Sequence, residues 1–283
     1  SRGGVELIDT VPLDYSKGEG RFLLGALYLS QGSPAIAVKE LEEAFELKFT
    51  PDKVIPLLAR AYMLVEYHDD ILALDGLART LSDESKVHYL AYKTFAALRT
   101  QQVALAKKSV AQANKLSASS LYSMLANAYL YIEERQIDAA GALVNKMLAI
   151  NPKHPDVLIL QGLILTQKNK HLLASWSYKK YLMVQPNATD VQLRLAGALL
   201  KAKAYDDAEK YADGILKGIS TQPFANYIKA MVRYQAKDYA KAIESAELAL
   251  QANFSQFNLK LLAGVSAFQL KNYEQSHHHL SAI

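Results

Sequence analysis

The stretch "ANYIKAMVRYQAKDYAKAIESAELAL", residues 225–250, carries one period of a pattern that recurs along the chain. Ala230 is followed nine residues on by Tyr239, twelve on by Ala242 and nineteen on by Ala249. Moving outward in steps of 34 residues, Gly162, Ala196 and Gly264 take the place of Ala230. Ala174, Ala208 and Ser276 take that of Ala242, and Tyr205 and Tyr273 that of Tyr239. Tyr181, Ile215 and Ile283 align with Ala249. Nearer the start, Gly25 and Ala59 are again 34 apart, and Gly25 is followed by Ala37 and Ala44 at the same offsets. Thr94, with Ala106 and Ala113, anchors a weaker copy, and Ala126 anchors another, with Ala140 two residues late. This phase predicts seven complete units (18–51, 52–86, 87–118, 119–154, 155–188, 189–222 and 223–256) and an incomplete eighth (257–283). Residues 1–17 read as a lead-in or the tail of a preceding repeat.

Each unit reads as two helices. "PDVLILQGLILTQKN" (155–169) has apolar residues at helical spacing; "HLLASWSYKKYLMVQP" (171–186) repeats the pattern and stops at proline. Two antiparallel helices approach closely only where a small side chain sits at their crossing. A single pair leaves an apolar face open, so the next unit must stack on it. The expected fold class is therefore all-α.

These residues resemble the tetratricopeptide repeat: a small residue, another twelve on, an alanine-like residue nineteen on and proline near the end of the unit. "LLGALYLSQGSPAIAVKELEEAFEL" (23–47) and the stretch at 225–250 match it well, and the resemblance covers residues 18–283. It implies a right-handed α-solenoid of about eight helix pairs. The chain departs from the pattern in lacking the early tryptophan, in placing Arg233 at a normally apolar inward position, and in the slipped third and fourth copies. More narrowly, "ELIDTV…GRFLLGALYLSQGSPAIAVKELEEAFELKFTPDKVIPLLARAYM", "PFANYIKAMVRYQAKDYAKAIESAELAL" and "LKLLAGVSAFQLKNYEQSHHHL" are similar to the lipoproteins of this repeat class associated with the PEP-CTERM/exosortase and exopolysaccharide system (PrsT type). That resemblance implies a larger protein, lipid-anchored in the bacterial periplasm.

Composition excludes other classes. The chain has 283 residues, 51% apolar and 21% charged, with net charge +4, too small to argue for nucleic acid or an anionic membrane. Cysteine is absent, so disulfides and thiolate metal sites are excluded. The longest apolar stretches, such as "VLILQGLILT" (157–166), fall short of the roughly 18 residues of a membrane span. No nucleotide-binding glycine loop, nucleophile elbow or metalloprotease motif occurs, so no catalytic residue, cofactor or metal is expected. The acidic runs "ELEEAFE" (40–46) and "IEERQID" (132–138) read as solvated helix faces, and the lone Trp176 as a surface residue.

The run His277–His278–His279 lies in phase inside the last helix. Successive helical residues are turned by about 100°, so three in a row cannot converge on one ion. The expectation is a half-buried His277 and two solvated neighbours. Phase also suggests that the last helix continues past Ile283 and that "SRGGVELIDTV" ends an earlier one. The chain then reads as a piece of a longer solenoid, with Leu280 and Ile283 exposed and end-to-end self-association open to it.

By resemblance, the first helices line a concave groove that binds a protein or peptide. The version that clamps carboxylates needs lysine three residues before the anchor; here those positions include Phe22, Pro56, Leu193 and Tyr227, and none is lysine. One residue after the anchors the lining is mainly apolar, with Arg60 and Asn127 as isolated polar groups. Phe224, Tyr227, Met231 and Tyr234 share a helical face, and Val265 and Phe268 repeat its phase. They are either a docking strip or packing between neighbouring first helices. Two roles stay open: an envelope scaffold serving polysaccharide export or protein sorting, or the cytoplasmic repeat region of a multidomain regulator or transferase.

Overall fold

The computed structural model describes residues 17–252, 254, 257–281 and 283. Among these residues all regular structure is helical and there is no strand. The chain divides into two compact units, residues 1–152 and 153–283.

In the first unit, α1 (Lys17–Ser30) pairs with α2 (Pro34–Glu46), and α3 (Pro51–Leu64) is followed by the short α4 (His68–Ala73) and α5 (Asp75–Ala78). Then come α6 (Asp83–Arg99) with α7 (Val103–Ser117) and α8 (Leu121–Glu133) with α9 (Ile137–Ile150). The second unit stacks α10 (Pro155–Gln167) and α11 (His171–Val184), α12 (Thr189–Lys201) and α13 (Tyr205–Leu216), α14 (Pro223–Gln235) and α15 (Tyr239–Gln251), α16 (Phe257–Gln269) and α17 (Tyr273–Ser281). Helix starts are set locally. Proline occupies the first turn of α2, α3, α10 and α14, where its missing N–H costs nothing. The Ser120 hydroxyl accepts from the Ser123 amide at 3.1 Å to cap α8.

The turn inside each pair is built the same way eight times. Gly32, Glu66, Gln101, Arg135, Asn169, Lys203, Lys237 and Lys271 all have φ between 56° and 77°. The amide of the next residue donates to the carbonyl five back, as in Ala204 to Leu199 and Asn272 to Ala267, both 2.9 Å. This left-handed cap closes the first helix and reverses the chain. Its positions are 34 residues apart except for one step of 35, from Glu66 to Gln101, which contains the broken second helix α4–α5.

The turn ladder corrects the sequence reading of the fourth pair. Every other anchor stands seven residues before its left-handed residue, so the fourth anchor is Ala128, seven before Arg135, and not Ala126. Both alanines are buried, which is why composition alone did not separate them. With Ala128 as anchor, Ala140 is no longer late.

The anchors are sized to what lies on them. A Cβ on Gly25 would lie 2.6 Å from Leu41, one on Gly162 2.3 Å from the Tyr178 ring, and one on Gly264 2.6 Å from Leu280. Each of those side chains is sixteen residues after its glycine. Sixteen residues after the alanine anchors Ala196, Ala230 and Ala128 come the smaller Ala212, Ala246 and Val144. Volume is traded across the helix crossing, as dense packing requires.

Two further expectations are corrected. Among the three histidines the buried one is His279, not His277, because it lies three residues after the inward Ser276 and so shares its face. Its Nε2 is 3.3 Å from Glu247. Arg233 is accommodated by an ion pair, its Nε 2.6 Å from Glu209 on α13. Leu280 and Ile283 are exposed.

Candidate functional site

The first helices of the second unit present a run of side chains at the groove positions. A cavity of about 460 Å³ lies there, lined by Leu163, Leu193, Gly197 and Phe224, by the exposed Asp190, Arg194 and Lys201, and by His171 and Tyr178 of α11 among others. A Cβ on Gly197 would be 3.2 Å from two atoms of the Phe224 ring, so the absent side chain lets that ring lie across the α12 backbone. Leu163, Leu193 and Phe224 are half-buried, which leaves apolar surface facing solvent.

The strip named from sequence is divided by its surroundings. Phe224 stacks on Tyr227 at 5.7 Å between ring centroids, and Phe254 closes over both at 6.0 and 5.8 Å. Tyr227 is therefore buried and does not face open groove, and burial pushes its hydroxyl pKa up. Phe254 comes from an interhelical segment outside the helical pattern, so periodicity could not reveal it. Met231 and Val265 are half-buried on α14 and α16. Tyr234 and Phe268 stand at the far end of their helices, each edge-on to the first aromatic of the next helix, Tyr239 and Tyr273.

In the first unit, Arg60 is buried in α3. Asn127 is not a groove residue. It exchanges side-chain hydrogen bonds with Asn114 of α7, donating at 2.8 Å and accepting at 3.3 Å. The two-residue shift of the anchor explains this and puts Tyr129 in the groove series instead. Tyr129 packs against Phe95 at 5.2 Å, and its hydroxyl lies 3.9 Å from the Met63 sulfur. A second cavity, about 620 Å³, is lined by Phe22, Lys53, Pro56, His88 and Tyr122 among others. His88 and Tyr122 stack at 3.6 Å. Each stands six residues before its anchor, Thr94 and Ala128, a match that appears only in the corrected register. At this cavity Asp52 accepts from the amide and hydroxyl of Ser82 at 2.7 and 2.6 Å, tying the start of α3 to that of α6 and holding the carboxyl below its usual pKa.

Among the described residues no group of three or more His, Cys, Asp or Glu could hold a metal ion, and no helix is long and apolar enough to cross a membrane. What the geometry offers is shaped apolar surface with a few exposed charges, which suits binding.

No protein-family model matches the chain. It is 22% identical over 158 residues to the DnaJ protein P58IPK homolog B of Oryza sativa subsp. japonica, a match covering 51% of this chain and 34% of that protein. The match spans about a third of that relative's length. Among solved structures, PilF of Pseudomonas aeruginosa superposes with a TM-score of 0.60 at 18% identity, covering 70% of this chain and 90% of PilF. A tetratricopeptide repeat protein from Parabacteroides merdae ATCC 43184 superposes over 95% of this chain and 92% of its own, with a TM-score of 0.51 and 16% identity. The chain has the tetratricopeptide-repeat fold. Its TPR pairs are the helix pairs described above, and their first helices supply most of the lining of both cavities.

Proposed function

We propose that this TPR chain is a non-enzymatic scaffold that binds an apolar segment of a partner protein along the first helices of its second unit. The observation that carries this is the cavity lined by Leu163, Leu193, Gly197 and Phe224. Its apolar side chains are half-buried and keep surface open to solvent, Phe224 even while packed on Tyr227 and Phe254, and the charged Asp190, Arg194 and Lys201 of its lining are exposed. A segment with two or three large apolar residues would bury that surface, and Arg194, Lys201 and Asp190 would fix its direction.

Selection of peptides from a random displayed library on the immobilised chain tests this. Leu163→Asp and Leu193→Asp remove apolar surface without touching the fully buried core, so circular dichroism should be unchanged. Selected peptides that are rich in large apolar residues and fail to bind these variants support the reading. Peptides that bind both variants as tightly as the parent chain overturn it.

The setting we infer is the bacterial envelope, with a lipid anchor on the full-length protein and a role in exopolysaccharide export or protein sorting. Its support is the likeness of the repeat wording to the PEP-CTERM-associated lipoproteins. Fractionation of the native cell decides it: a periplasmic, membrane-bound protein agrees, a soluble cytoplasmic one does not. The second reading, a repeat region within a cytoplasmic multidomain protein, is favoured by one observation, that the chain matches only about a third of its DnaJ-type relative.

A further inference from the structure

The eight left-handed turns share one geometry but not one chemistry. In the first unit the left-handed residues are Gly32, Glu66, Gln101 and Arg135; in the second they are Asn169, Lys203, Lys237 and Lys271. Lys168, Lys170 and Lys201 stand beside the first two of the latter turns. The units differ in the same sense overall. The second holds sixteen Lys and Arg against ten Asp and Glu, net +6, and the first sixteen against eighteen, net −2.

The second unit stacks antiparallel pairs through short connections, so all four turns emerge at the same end of its helices and form one edge. On that edge Lys170, Lys201, Lys203, Lys237 and Lys271 are exposed and, among the described residues, paired with no carboxylate. The carboxylates there are Asp206, Asp207, Asp238 and Glu274. Asp207 is 3.4 Å from Lys179, and Asp238 is 3.8 Å from Arg233 and 3.4 Å from Lys241, which leaves Asp206 and Glu274 against five lysines.

Apolar side chains stand among the lysines. Leu172 and Leu173 open α11, Phe268 closes α16 with Leu270 just beyond it, and Tyr273 opens α17, each between 40% and 61% exposed. The turn itself does not call for lysine, since the first unit builds it with Gly32, Glu66, Gln101 and Arg135. Lys201 lies in the last turn of α12 and suits the helix dipole, but the left-handed lysines lie beyond the helix ends.

We infer that this edge of the second unit docks on an anionic lipid surface. Lysine is a compact, flexible point charge suited to a diffuse field of headgroups, whereas arginine is favoured for paired recognition of discrete carboxylates. Leu, Phe and Tyr beside flexible lysines match the boundary between headgroup and acyl chain, where apolar groups enter and ammonium groups stay in water. A lipid surface needs no matching contour.

The experiment is co-sedimentation of the whole chain with vesicles of phosphatidylcholine alone and of phosphatidylcholine mixed with phosphatidylglycerol, at low and high salt. Binding should appear only with the anionic vesicles and weaken with salt. A variant carrying Lys170→Gln, Lys203→Gln, Lys237→Gln and Lys271→Gln should keep its helical signal and lose roughly a hundredfold or more in vesicle affinity. Leu270→Ser with Leu172→Ser should weaken the binding that persists at high salt. Equal binding to neutral vesicles, undiminished binding by the folded quadruple variant, or binding to polyglutamate in place of vesicles would each overturn the inference, the last by making an acidic polypeptide the partner. Should the quadruple variant unfold, the lipid and salt comparisons on the parent chain decide alone.

Discussion

Gly162 lies directly beneath the ring of Tyr178: a Cβ on the glycine would stand 2.3 Å from Tyr178 Cε1 and 2.6 Å from Cζ. Tyr178 is almost fully buried and comes sixteen residues later, on the partner helix of the same pair. Gly162→Ala must displace that ring, and overpacking of this kind costs about 1–3 kcal/mol. Tyr178→Val places at that crossing the residue type found at Val144 and Val110. The double variant should therefore lose less stability than the sum of the two single ones, measured as denaturation midpoints of the intact chain. Strict additivity would show that the two residues do not share the crossing.

The left-handed turns make a second prediction, of opposite sign. Lys237 holds φ at 61°. An L-residue in this region costs about 1–2 kcal/mol, and glycine avoids the cost while giving up about 0.5–1 kcal/mol of chain entropy. Lys237→Gly should raise the melting temperature, Lys237→Ala should not, and Gly32→Ala should lower it. If the lipid-docking inference holds, the stabilised glycine variant binds anionic vesicles less well. Lysine at this turn then costs stability in return for charge.

Much of the fold was legible because the repeat is a volume rule written at fixed spacing. Gly162, Ala196, Ala230 and Gly264 announce the second unit without ambiguity. The first unit was harder to read because α4 and α5 break the second helix of its second pair, and because Ala126 and Ala128 are both small and both buried. Only the backbone turn at Arg135 separates them. The groove was legible as a face but not as a surface. Helical phase showed that Phe224 and Tyr227 lie together, yet exposure depends on Phe254, which belongs to no period. The choice among His277, His278 and His279 needed the inward direction of Ser276.

Acid should loosen the first unit through His68. Burial is the main cause that lowers its pKa, with Arg99 adding to it, and its Nδ1 finds no hydrogen-bond partner among the described residues. The folded state thus favours neutral imidazole. The corresponding stability is complete above the unfolded value of about 6.5 and is lost as pH falls through that value and the lower folded one. Melting temperature should decline between neutral pH and about pH 5, and His68→Gln should flatten the decline. An unchanged slope in that variant would assign the acid sensitivity elsewhere.

Asn127 and Tyr129 separate packing from binding in the first unit. Asn127 is joined to Asn114 by two hydrogen bonds, so Asn127→Ala leaves a half-buried amide partner unpaired and should cost about 1–3 kcal/mol. Replacing both asparagines with leucine removes both polar groups together and should recover part of that loss. Neither change touches the groove series, so peptide capture by this unit should be unaffected in folded protein. Tyr129→Ala has a different signature. It removes a ring packed on Phe95, so melting should fall, and any peptide held along the first helices of this unit should dissociate faster. Stopped-flow dissociation of a labelled peptide from the three variants reads the difference. Faster release from the Asn127 variant than from the Tyr129 variant would show that Asn127, and not Tyr129, contacts the peptide.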